Sequence, residues 1–222
     1  MEYLIIFLLE FQIMNKTLIT LFCCCCFLAA SAQSKKSLLR NLEKNAPDSF
    51  LVRFKTTKGN FDVKVYKDWS PIGATRFYQL VKAHYYTNMY VFRSTEKYAQ
   101  FGIQNDTALN RFMDKKTIKD ELATHSNQRG IMAFATGGID NRTVHIFINK
   151  IDNRRLDTMA HSKGFPPFGR VVKGMEVVDQ FYGAYKDTIT FKYQDAVMKY
   201  GNKYLEEHFP GLDKIKKARI KH

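Results

Sequence analysis

Val144-His145-Ile146-Phe147-Ile148-Asn149 is the stretch on which the fold turns. Branched aliphatic residues at 144, 146 and 148 alternate with His145, Phe147 and Asn149, so an extended strand sends the two sets to opposite faces. Working outward, short β-like runs fall at 90–95, 98–103 and 130–135 upstream and at 168–172 downstream. Earlier, Phe50, Val52 and Phe54 alternate with Leu51, Arg53 and Lys55. Thr57-Lys58-Gly59-Asn60 then turns the chain and Phe61, Val63 and Val65 alternate again, the pattern of a hairpin with one buried face. Ser70-Pro71 supplies an N-cap and a proline at the first helical position, followed by Phe77, Leu80, Val81 and His84 at helical spacing. Helical patterns also cover 175–182 and 193–207, and 215–220 reads as a closing strand. Many short strands with few helices predict a mainly β fold, an antiparallel barrel or sandwich. The polar excursion 104–128 is long for a compact domain, which marks it as functional or mobile.

All four cysteines lie at 23–26, inside an apolar N-terminal segment that ends in Ala30-Ser31-Ala32, the small-residue pattern of a secretory cleavage site. Starting at Met14, Asn15-Lys16 forms the charged region and 17–29 the apolar one, so residues 1–32 are expected to be a signal peptide with its true start at Met14. Membrane anchoring through residues 3–30 is the alternative. Bulky residues before the cysteines disfavour a lipoprotein. Cleavage would leave a cysteine-free chain from Gln33, with no disulfide framework or thiolate metal site. Residues 33–48 read as a linker, and the domain, 49–222, begins at Ser49.

The 222-residue chain carries a net charge of +14. Its lysines are spread out, with one modest cluster at 214–221, and neither a recognition-helix pattern nor metal-finger spacing accompanies them, so no nucleic-acid partner is expected. The six histidines show no close pairing, so no metal or other cofactor is expected.

From about 50 to 185 the order of motifs is Phe92-Arg93, Gln100-Phe101-Gly102, Arg129-Gly130 leading to Phe134-Ala135, Phe147-Ile148-Asn149, Leu156-Asp157, and Phe168-Gly169-Arg170-Val171 leading to Asp179. That order resembles a bacterial cyclophilin, a peptidyl-prolyl cis/trans isomerase. The tail, with Gly201-Asn202 and Phe209-Pro210, is similar to a helix-strand extension of exported bacterial members. The resemblance implies an eight-stranded antiparallel closed barrel with capping helices and an outer groove for proline-containing polypeptides. It also implies an exported, periplasmic, monomeric protein without a membrane span once mature, which assists folding of other exported proteins.

An X-Pro amide rotates slowly because resonance gives its C–N bond double-bond character. Arg93 is therefore the expected catalytic residue: a guanidinium aimed at the prolyl nitrogen localises its lone pair and favours the twisted amide. By the same resemblance Phe147 forms the floor of the proline pocket. Phe92, Tyr98, Leu156 and Phe165 fall at pocket positions, and Gln100 is the groove glutamine. Ala135 and Thr136 pair with the peptide backbone. His145 stands where glutamine is common, which introduces a pH-dependent contact. Phe165 replaces a frequent histidine, Ile139 the proline of a Gly-Pro-Asn turn, and Arg155 a tryptophan that aids cyclosporin binding in some eukaryotic relatives. The stretch between Arg93 and Gln100 is one residue short and lacks a Pro-Gly turn. Together with His145, that motivates the alternative of a catalytically weak peptide-binding or chaperone module.

Overall fold

The computed structural model describes residues 35–159 and 163–221; the expected signal segment, 1–32, lies outside the described residues. Among the described residues no helix is long and apolar enough to cross a membrane. The strands are β1 (Ser49–Thr56), β2 (Asn60–Tyr66), β3 (Thr87–Ser94), β4 (Tyr98–Phe101), β5 (Ile131–Phe134), β6 (Ile146–Asn149), β7 (Pro167–Lys173) and β8 (Lys214–Lys221). They close into one antiparallel barrel in the order β1-β2-β7-β5-β6-β4-β3-β8. The eight-stranded closed barrel is thus the architecture the resemblance implied.

Alternation explains the interior. Val52, Phe54, Phe61, Val63 and Val65 point inward and are buried, and the Phe54 and Phe61 rings stack with centroids 4.6 Å apart. Helix α1 (Pro71–Lys82) closes one end by inserting Phe77, Leu80 and Val81, with the Phe77 ring 5.0 Å from Phe168. Each such aromatic removed from water contributes about 2–3 kcal/mol. Val144, just before β6, and Ile146 and Ile148 on it join this core, whereas Phe147 belongs to a separate cluster outside the barrel.

Three expectations change. Residues 33–48 are not wholly a linker: Leu38 and Ala46 are buried in the main core, and Gln79 Nε2 donates to the Leu42 and Lys44 carbonyls. Leu38 and Leu42 sit one helical turn apart, enough apolar surface to dock the segment. Ser70 begins α1 but does not cap it. Its hydroxyl turns to Glu121, whose carboxylate accepts from the Ile72 and Gly73 amides at 2.7 and 3.0 Å, satisfying N-terminal donors from 48 or more positions away. The single helix expected at 193–207 is two, α4 (Gln194–Tyr200) and α5 (Asn202–His208), after α2 (Thr107–Asp114) and α3 (Met175–Asp179). The break is Gly201, with φ +69°, where a Cβ would lie 2.7 Å from the Asn105 carbonyl oxygen.

The excursion 104–128 contains α2 and is pinned by charge. Arg142, 1% exposed, lies 3.4 Å from Asp120 and 3.2 Å from Glu121 and also donates to the Lys119 carbonyl. Asp120 and Asp140 exchange backbone-to-carboxylate bonds of 2.7 and 2.9 Å. These contacts hold the loop that carries Ile139 and Asp140. The 183–213 segment, with a π-helical turn at Ile189–Tyr193, covers the outside of β3: Ile189, Val197, Leu205, Phe209 and Leu212 pack on Tyr90 and Phe92. Strand β3 is consequently buried on both faces.

Candidate active site on the outer face of the barrel

Strict alternation would send Arg93 inward with Met89 and Val91, which belong to the main core. The β3–β4 register shifts between Val91 and Arg93, so that Val91 opposes Phe101 and Arg93 opposes Gln100. This bulge absorbs Phe92 and re-aims the next side chain outward. Arg93 therefore reaches the groove, and Phe92, expected to line it, is buried beneath with its ring 5.9 Å from His145. The short segment between Arg93 and Gln100 is accommodated by a tight turn, in which the Thr95 hydroxyl accepts from the Lys97 and Tyr98 amides.

A cleft of about 590 Å³ brings together Arg93, Tyr98, Gln100, Ala135, Thr136, His145, Phe147, Leu156 and Phe165. Its apolar floor is Phe147, flanked edge-on by Tyr98 and Phe165, each with centroids 5.7 Å away. Leu156 packs against the same floor from a 3₁₀ turn, Arg154–Asp157. Asp157 holds that turn by accepting from Ser126 Oγ at 2.6 Å and the Asn127 amide at 2.8 Å. Arg155 Nη2 donates to the Tyr98 hydroxyl at 2.9 Å, which fixes one wall. Gly102 lets β4 approach β6 closely: a Cβ there would sit 2.7 Å from His145 Cα.

The guanidinium of Arg93 donates from Nη1 to Gln100 Oε1 at 2.9 Å and from Nε to Asp187 Oδ1 at 2.6 Å. It lies 4.9 Å from the Tyr98 ring centroid, and Nη2 makes no hydrogen bond to a described residue. Opposite, the Ala135 amide is committed to the His145 carbonyl at 2.9 Å. The Thr136 amide makes no backbone bond to a described residue, and its side chain closes a local turn onto Gly138.

His145 Nε2 is shielded from solvent and has no hydrogen-bond partner among the described residues. Burial pushes its pKa down to about 4, against a weaker upward pull from Asp114, so the ring is neutral at pH 7. The pH-dependent contact expected from the sequence thus moves to acid. Between pH about 6.5 and about 4 the unfolded chain binds this proton and the folded chain does not. Stability falls as pH drops through that window, by up to about 3 kcal/mol, and the contribution is constant above it. A His145→Gln protein should show a flatter loss of urea midpoint between pH 7 and 4.5 than the native chain. Equal slopes would refute the assignment.

Sequence reading missed Asp114, Asn141 and Thr143, which line the far end of the cleft, and the segment carrying Asp187, Thr190, Phe191 and Gln194. The last four come from beyond α3, and nothing local in the sequence relates them to Arg93.

The fold and site are thus a closed barrel with an outer aromatic pocket beside a held arginine. The model of the cyclophilin type peptidyl-prolyl cis-trans isomerase family matches residues 51–201. The chain is 33% identical over 132 residues to a peptidyl-prolyl cis-trans isomerase of Acinetobacter baylyi, covering 59% of this chain and 70% of that protein. It is 29% identical over 138 residues to peptidyl-prolyl cis-trans isomerase B of Escherichia coli, covering 60% and 84%. A solved cyclophilin type peptidyl-prolyl cis-trans isomerase of Cryptosporidium parvum shares the fold, with a TM-score of 0.58 at 17% identity over 78% of this chain and 98% of that one. The chain belongs to the cyclophilin-type peptidyl-prolyl cis/trans isomerase family. Strand β8, which closes the barrel, lies beyond the matched span.

Proposed function

We propose that this chain catalyses cis/trans rotation of X-Pro bonds by electrostatic stabilisation of the twisted amide, and that it does so on exported polypeptides during their folding. The observation that carries the reading is the Arg93 guanidinium, held by Gln100 and Asp187 beside the Phe147 pocket with Nη2 left for a substrate. A proline ring seated on Phe147, between Tyr98 and Phe165, would present its nitrogen to that donor. Rotation about the amide makes and breaks no covalent bond, so the protein has to supply only position and field. The Thr136 backbone would add one strand-like contact to the bound peptide. His145, neutral and unpartnered, would offer one further hydrogen bond.

The test is the cis-to-trans rate of a proline tetrapeptide, followed by NMR exchange. Native protein should accelerate it, and Phe147→Ala should raise KM by about tenfold through loss of the apolar floor. Binding of proline peptides without acceleration would replace catalysis by the peptide-binding module. The export half rests on the Ala30-Ser31-Ala32 pattern. A secreted form beginning at Gln33 in mass spectra would support it, and a retained Met1 terminus would contradict it. A monomer acting without nucleic acid completes the proposal.

A further inference from the structure

Arg93 is gripped from the side by a part of the chain far from β3 in sequence. Asp187 and Phe191 lie on the segment that leaves α3, and that segment is fastened to the end of β3. Ser94 and Lys186 form an antiparallel bridge, and a Cβ on Gly183 would lie 3.0 Å from the Ser94 carbonyl oxygen. Ile189, fully buried among Tyr90, Phe92 and Val197, anchors the turn from below. The Phe191 amide donates to the Asp187 carbonyl at 3.0 Å, so the two residues stand on one turn.

Two properties of that turn are hard to assign to stability. The Arg93–Asp187 pair is half-exposed on its acidic side, at 45%, and such pairs add little to folding. Phe191 is 75% exposed, more than any other large apolar residue so described, although buried apolar positions are available a few residues away. Its ring centroid is 5.7 Å from the Arg93 guanidinium carbon, and it lines the cleft with Thr190 and Gln194. The Thr190 hydroxyl in the same wall is shielded and without a protein partner.

We infer that the 187–191 turn is a second substrate contact. In it Asp187 is a positioning residue for Arg93, and Phe191 receives a large apolar side chain flanking the proline. Asp187 fixes Nε while Gln100 fixes Nη1, and two bonds on different edges of a planar group set its plane. Nη2 is then aimed by geometry before any peptide arrives, which removes the ordering cost from the catalytic step. Phe191 lines the same cleft as Phe147 and lies against the guanidinium, so a peptide whose proline sits on Phe147 can carry a neighbouring residue onto the exposed ring. Burial of both surfaces then favours a large apolar neighbour over alanine. The assignment rests on the isomerase reading of the groove.

Full-length protein is assayed on tetrapeptides that carry alanine, leucine or phenylalanine on either side of the proline. Phe191→Ala should raise KM about fivefold for leucine or phenylalanine on one side and leave the alanine peptides unchanged. An equal change for all peptides, or none, overturns the contact. Asp187→Asn should lower kcat about tenfold with KM nearly constant and shift the Arg93 Nε–H resonance, and Asp187→Glu should recover part of the rate. An unchanged or higher kcat in Asp187→Asn overturns the positioning role, as does a loss that appears only as a lower unfolding midpoint. A native protein inactive on every peptide would instead remove the isomerase reading itself, so the two failures are distinct.

Discussion

Arg93→Ala is expected to lower kcat/KM for an X-Pro tetrapeptide by about 100-fold, the usual cost of deleting one preorganised donor at a reacting centre. Most of the loss should fall in kcat, because the aromatic pocket that binds the ring is untouched. Arg93→Lys should recover little. An ammonium cannot hold Gln100 and Asp187 from two edges while offering a third donor to the prolyl nitrogen. Folding should change only modestly, since the pair with Asp187 is half-exposed. An Arg93→Ala protein as fast as the native one would sink the electrostatic mechanism.

The largest effect on stability is expected at Arg142. Its removal leaves Asp120 and Glu121, 9% and 13% exposed, without their shared cation. Breaking a buried pair by deleting one partner costs about 3–5 kcal/mol. Arg142→Ala should therefore shift the urea midpoint downward by that equivalent. The damage should spread in a defined direction: Glu121 also caps α1, and Asp120 is tied to Asp140 in the groove loop. A folded remnant would accordingly bind peptide more weakly as well. A midpoint within about 0.5 kcal/mol of native would show that the cluster adds nothing to stability.

The barrel was legible because alternation is clean in β1 and β2 and across Val144–Asn149, whereas β3, β4 and β5 are buried almost throughout and show no inward-outward alternation. The pocket was legible through the order of motifs, and Arg93 on β3, Gln100 on β4 and Phe147 on β6 meet in one cleft although β5 and several loops separate β4 from β6 in sequence. Phe92 was assigned to the groove by resemblance alone, and the bulge between Val91 and Arg93 buries it beneath while turning Arg93 outward. Ser70 showed where α1 begins but not what caps it, since a carboxylate 51 positions on competes for both its hydroxyl and the helix amides. Asp187 and Phe191 carried no signal at all. Their role comes from the tertiary placement of the turn that follows α3 beside Arg93.

The seam formed by β8 sets the order in which this protein can come into being. Leu51 pairs with Lys221 and Thr87 with Lys217, so both edges of the sheet stay open until the segment at 214–221 arrives. A growing chain passes through a stage in which β1 and β3 expose unpaired backbone, the condition that invites pairing with other chains. Clipping anywhere in 183–213 would restore those two edges and release the wall beside Arg93 in the same cut. Proteolysis there would thus switch off turnover and seed aggregation together.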